Sequence, residues 1–264
     1  MLKLRALALS LIFCFLFFAG FADAHEKSVM LVLDPGHGGK DHGGAHGDGF
    51  YYKGRYLPED AYTYDVATRI EALAIKRGWK IFFTVVPLGD SEKHAVKNEA
   101  YIASHKDMIY NIIGADTIVF SGKDGLIPRL NAVEQGVNKD EYDAVIFISI
   151  HFDNADPHYH GATIYTTPEQ AEDPFIKILS KKFIDHNLGF HHLDKPIKNI
   201  DTRPEFIVLT DGTIRPRILV ELGNFNHPRD RALMLSGPSR QKYAEVMVEA
   251  IEEFISVNGY ESHQ

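Results

Sequence analysis

The chain reads as an α/β protein: three layers, with a central mostly parallel sheet of about six strands covered by helices on both faces. Two observations lead to that reading. Apolar runs of strand length alternate with longer segments of helical spacing, which is the pattern of β-α-β crossovers. One of the runs, Ala144 to Ile150, is uninterrupted, β-branched and free of charge, as expected of a strand covered on both sides.

Residues 1 to 24 stand apart. Lys3 and Arg5 precede the apolar stretch Ala6 to Phe18, and Ala22-Asp23-Ala24 is a small-x-small cleavage site. This is the form of a signal peptide, with an uncleaved membrane anchor as the alternative reading. Residues 25 to 264 are then expected to form a single catalytic domain. The lone cysteine, Cys14, lies in the leader, so the remaining chain has no thiol for a disulfide, a metal or a nucleophile. The net charge of −8 becomes −9 once Lys3, Arg5 and Asp23 leave. That balance argues against nucleic acid and anionic membrane surfaces as partners.

The first strand, Val29 to Leu33, runs into Asp34-Pro35-Gly36-His37-Gly38-Gly39, a tight turn with a histidine inside it. A loop rich in Gly, His and Asp follows to Gly54, and loops of that length in compact domains are usually functional or mobile. Pro58-Glu59-Asp60 opens a helix with acidic residues in its first turn. Val66, Ile70, Leu73 and Ala74 recur along it at helical spacing, and Gly78 closes it.

Trp79 to Val86 reads as a second strand and Ser91 to Ile113 as a helix, making residues 88 to 116 a helical insertion. Thr117 to Ser121 reads as a short strand, Gly122 to Pro128 as a loop and Arg129 to Asn138 as helical. The strand Ala144 to Ile150 delivers His151. Gly161 to Thr167 is a further strand, Pro174 to Asn187 an amphipathic helix, and Glu205 to Leu209 and Arg217 to Val220 two more strands, the last delivering Glu221. Pro228 to Leu235 and Arg240 to Val257 close the chain as helices.

In open parallel sheets ligands bind beyond the carboxyl ends of the strands. His37, His151 and Glu221 each follow such an end, and Glu59 starts the helix on the same edge. Two imidazoles and one carboxylate with a fourth position open are one ligand set of catalytic zinc, and a second carboxylate is then free to move protons. Taken singly, each residue has a plainer reading. His37 can be a polar loop residue, His151 a hydrogen-bonded structural histidine, and Glu59 a helix-dipole partner. Glu221 follows an apolar strand, where an unpaired carboxylate is costly, and that favours function. The helix-borne His-Glu-x-x-His motif is absent.

Leu33-Asp34-Pro35-Gly36-His37-Gly38-Gly39-Lys40-Asp41, Glu59 opening a helix that carries Ala67, Ser149-Ile150-His151, and Leu219-Val220-Glu221-Leu222-Gly223 together resemble the zinc-dependent N-acetylmuramoyl-L-alanine amidases of family 3. The likeness runs from about Val29 to Phe254. It implies that His37, Glu59 and His151 bind one Zn²⁺ and that Glu221 is the catalytic carboxylate. The implied substrate is peptidoglycan or its fragments, cut between N-acetylmuramic acid and L-alanine. The leader in turn points to an exported protein, periplasmic or secreted, without a membrane span once cleaved, and the chain is expected to be a monomer.

Other readings of the same residues are a zinc amidohydrolase or peptidase with another peptide substrate, or a non-catalytic peptidoglycan-binding protein. The chain departs from the family where a Thr-Arg-x-x-Asp stretch is usual after the second strand. Here Thr84-Val85-Val86-Pro87 lacks the arginine, and the stretch from Phe120 to Asp124 with Arg129 is the nearest replacement. The remaining histidines read as solvated loop residues (His42, His46, His158, His160) or as helix-end residues (His186, His191, His192). Tyr51, Tyr52 and Tyr56 could stack on sugar or peptide, or simply cover core.

Overall fold

The computed structural model describes residues 28–38, 41–44, 49–87, 110–112, 123–189, 191–192 and 200–258. The expected leader, most of the expected 88–116 helix and the expected strand at Thr117 to Ser121 lie outside them. In order, the described elements begin with β1 (Val29–Pro35), the hairpin β2 (Phe50–Tyr52) and β3 (Arg55–Leu57), and α1 (Glu59–Ile75). Next come β4 (Lys80–Phe83), β5 (Val85–Pro87), β6 (Tyr110–Ile112) and α2 (Lys123–Gly136). They are followed by β7 (Ala144–Asp153), β8 (Tyr159–His160), β9 (Thr163–Thr166), α3 (Pro174–Asp185), β10 (His191–His192) and β11 (Ile200–Thr202). The chain ends on α4 (Ile207–Thr210), β12 (Arg217–Asn224), α5 (Pro228–Leu235) and α6 (Gly237–Val257).

Six strands form the central sheet in the order β11-β9-β12-β7-β1-β4. β4, β1, β7 and β12 run parallel; β9 and β11 are parallel to each other and join β12 antiparallel. The sheet is thus mostly parallel. Side chains alternate across it, as the two-residue period of a strand requires. Leu31, Leu33, Ile146, Ile148, Ile218 and Val220 enter one core with residues of α1, α3 and α6. Met30, Val32, Val145, Phe147 and Leu219 enter a second core with Leu130 and Val133 of α2 and with Val208 and Leu209. Both faces are covered, which explains why Val29 to Leu33 of β1 and Ala144 to Ile148 of β7 are apolar at every position rather than at every second one.

Three expectations are corrected. The strand expected at Glu205 to Leu209 is instead the short helix α4, and the sheet's outer strand is β11, paired with β9 from Ile200 to Thr202. A short apolar run does not distinguish a strand from a buried helical turn by periodicity, and Val208 and Leu209 reach their core from a helix. The loop expected at Gly122 to Pro128 belongs to α2, which starts at Lys123 and keeps Pro128 inside it. Proline removes one helical hydrogen bond, and here it does not end the element. The described end of the expected Ser91 to Ile113 helix is a strand, β6, paired antiparallel with β5.

Candidate metal and catalytic site

β1 ends in Asp34-Pro35, and the backbone then turns sharply. His37 adopts a left-handed conformation (φ 64°) and Gly38 follows at φ 120°. Gly38 and Asp41 exchange backbone hydrogen bonds of 2.8 and 3.1 Å that close the turn. Gly36 is needed for space: a Cβ there would lie 2.5 Å from the His151 ring. The turn is held from behind by Asp34, which is 1% exposed. Its carboxylate accepts from Thr84 Oγ1 (2.5 Å), Ser149 Oγ (2.6 Å) and Arg129 Nη1 (3.0 Å). Arg129 also donates to the carbonyls of Pro35 (3.3 Å) and His37 (2.5 Å). One guanidinium from α2 therefore fixes both the end of β1 and the strained residue beyond it.

Glu59 is the first residue of α1 and is buried. Its N–H donates to His42 O at 2.8 Å, which ties the helix start to the glycine loop. A Cβ on Gly43, itself at φ +82°, would come within 2.3 Å of Glu59 Oε2, so the loop can pass this carboxylate only as glycine. His151 lies near the carboxyl end of β7 and Glu221 pairs with it in register on β12. The parallel alignment of β1, β7 and β12 thus brings the ends of three strands to one rim.

There His37, Glu59 and His151 offer one ligand atom each, all within 4.8 Å of one another. His37 Nε2 stands 3.1 Å from Glu59 Oε2, and His151 Nδ1 stands 3.2 Å from Glu59 Oε1. The imidazole rings meet edge to face with centroids 4.9 Å apart. These spacings suit a small tetrahedral ion, whose bonds of ~2.0–2.1 Å place neighbouring ligand atoms ~3.3–3.4 Å apart. The carboxylate partners are also of the right kind. Asp41 Oδ2 lies 2.7 Å from His37 Nδ1 and so directs Nε2 toward the ligand cluster, while Phe152 N–H donates to Glu59 Oε1 at 3.0 Å.

The electrostatics ask for positive charge at this point. Burial by itself would lower the His37 pKa, but the Glu59 and Asp41 carboxylates outweigh it and hold the imidazole well above its ordinary value. Burial would likewise raise Glu59, and the two imidazoles overcome it and push the carboxyl below its ordinary range. Glu221 is the opposite case. Burial, then the nearby Asp153 and Glu59 carboxylates, raise it well above the ordinary glutamate value. Its Oε2 is shut from solvent without a hydrogen-bond partner.

All four residues face a cavity of about 660 Å³. Its lining combines these polar groups with apolar Leu126, Phe206, Ile207 and Leu219. Phe50 of the hairpin closes one side and stacks on Phe225 at 3.7 Å between centroids.

A model of the family described as N-acetylmuramoyl-L-alanine amidase matches residues 31–253. The chain belongs to the N-acetylmuramoyl-L-alanine amidase family. The matched span contains His37, Glu59, His151 and Glu221. Among curated proteins, an uncharacterized cell wall amidase of Bacillus anthracis is 25% identical over 240 residues, which is 89% of this chain and 37% of that protein. The chain thus spans well under half the length of the curated relatives it matches. Among solved structures, the N-acetylmuramyl-L-alanine amidase Ami1 of Mycobacterium smegmatis superposes with a TM-score of 0.61 at 20% identity, covering 87% of this chain and 97% of that one. The CwlD amidase of Clostridioides difficile, solved in complex with the GerS lipoprotein, gives 0.61 at 16% identity, with 88% and 99% covered. These likenesses establish a shared amidase-family fold.

The sequence singled out the four residues at the rim. It missed Arg129 as the support of His37, and the three-residue cluster of His160, His227 and Asp230. Arg129 carries no local signal, since its partners lie more than ninety positions away.

Proposed function

We propose that this chain is a zinc-dependent amidase that hydrolyses the bond between the lactyl group of N-acetylmuramic acid and the L-alanine of the stem peptide. The observation that carries the reading is the convergence of His37, Glu59 and His151 beside Glu221 on one rim of a family-typical sheet. In it, His37 Nε2, Glu59 and His151 Nδ1 hold the ion. Asp41 keeps His37 in the tautomer that leaves Nε2 free to ligate.

When bound, Zn²⁺ supplies Lewis acidity, which acidifies water toward a pKa of about 7 and polarises a carbonyl oxygen. Glu221 removes a proton from the attacking water as its oxygen bonds to the lactyl carbon. The carbon–nitrogen bond then breaks, and Glu221 returns a proton to the departing nitrogen of L-alanine. Its raised pKa suits a group that takes a proton and gives it back. The cavity's apolar lining residues receive the substrate's carbon skeleton while its polar residues orient the amide.

The reading includes an exported protein, periplasmic or secreted. Residues 1 to 24 are a cleaved leader and 25 to 264 one catalytic domain that works as a monomer. No helix among the described residues is long and apolar enough to cross a membrane.

The test combines metal analysis with muropeptide digestion. Wild type and Glu221→Ala should both carry zinc at the rim site, and only wild type should release stem peptides from muramic acid. Zinc binding without muropeptide cleavage by wild type would move the substrate to another peptide amide. Failure of wild type to bind zinc would overturn the metal assignment and favour a peptidoglycan-binding protein.

A further inference from the structure

Away from the cavity, we infer that His160, His227 and Asp230 form a second divalent-cation site, for an ion of the zinc class, that fastens β8 to the start of α5. Each of the three offers a ligand atom within 4.8 Å of the others'. None of them lines the catalytic cavity.

The site is built around Asp230, which is 2% exposed. Its Oδ2 accepts two backbone hydrogen bonds, from Gly161 N (2.6 Å) and Asn224 N (2.9 Å). Its Oδ1 is shut from solvent and accepts none. A buried carboxylate oxygen left this way is costly unless something binds it. His227 Nδ1 is buried without a partner in the same place. The His160 and His227 rings stack with centroids 4.5 Å apart and planes 27° from parallel. Two buried atoms of ligand type, both without partners, thus belong to a cluster completed by the His160 imidazole. Two imidazoles and one carboxylate form a zinc ligand set, with the carboxylate already oriented by backbone donors.

Arg229 is the competing cation. Its Nη1 lies 2.9 Å from His160 Nδ1, and its Nη2 donates to Asn187 O. Guanidinium has no acceptor, so His160 Nδ1 must present a lone pair to it, which is the protonation state a metal requires. Metal entry exchanges this contact for a bond to the ion, and Nη2 can keep Asn187 as Arg229 moves aside. The ion would join the segment after His151 to the segment after Glu221. It is therefore a staple for the two strands that carry those residues, outside the reacting atoms.

The experiment uses the full chain without a histidine tag, stripped with chelator, loaded with Zn²⁺ and desalted before counting zinc per chain. Wild type should retain one more ion than His227→Ala or His160→Ala, and zinc should raise its melting temperature further than theirs. Both variants keep His37, Glu59 and His151. A failure of the catalytic-site reading would change the totals and leave the difference intact. Arg229→Met should bind the same number of ions as wild type with lower Kd, because a competing cation is gone. Equal zinc in wild type and folded histidine variants would overturn the inference. If neither histidine variant folds in chelator, Arg229→Met decides: tighter binding upholds the site, and unchanged binding overturns it.

Discussion

Replacing Arg129 with methionine should weaken both the fold and the proposed metal site. The guanidinium reaches Asp34 Oδ1 at 3.0 Å and the carbonyls of Pro35 and His37 at 3.3 and 2.5 Å. Asp34 and Arg129 are 1% and 5% exposed, so solvent cannot take over these contacts. Methionine preserves much of the packing volume and removes the charge together with the donors to Asp34, Pro35 and His37. Breaking a buried pair by deleting one partner costs about 3–5 kcal/mol, because the other charge stays behind. Thr84 and Ser149 still donate to Asp34, which places the expectation at the low end of that range, about 3 kcal/mol.

That loss is a large share of the ~5–15 kcal/mol typical of a whole domain. It should appear as a lower denaturant midpoint with an unchanged slope, measured in chelator. The same substitution frees the carbonyl of His37, a residue held at φ 64°. Loss of such a support should lower zinc affinity by about 10–100-fold, the range seen when outer-shell partners are removed. Combining Arg129→Met with Asp34→Asn should restore part of the stability, with a coupling of ~0.5–3 kcal/mol. A loss below about 0.5 kcal/mol, the size of an ordinary surface change, or additive single and double variants, would refute the reasoning.

Three further outcomes are expected. Gly36→Ala sets a Cβ 2.5 Å from the His151 ring, so zinc retention after desalting should fall while the far-UV spectrum stays native. Asp41→Asn removes the carboxylate 2.7 Å from His37 Nδ1 and should weaken zinc by about 10–100-fold in a competition titration with a chromophoric chelator. Glu221 has its pKa raised in the folded chain by burial and by Asp153 and Glu59, so ionising it opposes folding. The chelated protein should lose stability as pH climbs from the ordinary glutamate range through the raised value, since the folded state binds the extra proton there. Glu221→Gln should flatten that decline in melting temperature, and a decline of the same slope in both proteins would remove Glu221 as its source.

The four rim residues were legible in the sequence because each sits at a grammatical boundary. His37 follows a strand that stops at Pro35-Gly36, His151 and Glu221 end charge-free runs, and Glu59 opens a helix after Pro58. Strand ends of a parallel sheet share an edge, so order along the chain already places them together. The outer strand was not legible in the same way. Ile200–Thr202 is three residues long with a polar centre, whereas the apolar run that drew attention, Phe206 to Leu209, fills a core from a short helix. The cluster of His160, His227 and Asp230 was invisible for another reason. Its members are spread over some seventy positions, and the antiparallel β12–β9 join and the turn into α5 bring them together.

Asp34 draws its partners from distant parts of the chain. Thr84 reaches the site's support, with its hydroxyl on Asp34 Oδ1. The positive charge on the same oxygen comes from Arg129, forty-five positions later, on a helix packed against the opposite face of β1 from α1. The buried Asp34 is thus met by a guanidinium from a helix distant in sequence. Because Arg129 also holds the His37 carbonyl, the second core and the proposed ligand His37 are mechanically joined. Substitutions that loosen Leu130 or Val133, each buried in that core, should therefore reach the zinc site through Arg129. Val133→Ala, which shortens a fully buried side chain on the same helix, should lower stability by about 1–3 kcal/mol and weaken zinc measurably, although Val133 is not among the residues lining the cavity. Zinc affinity unchanged in a destabilised Val133→Ala would show that α2 supports the fold without positioning the ligand.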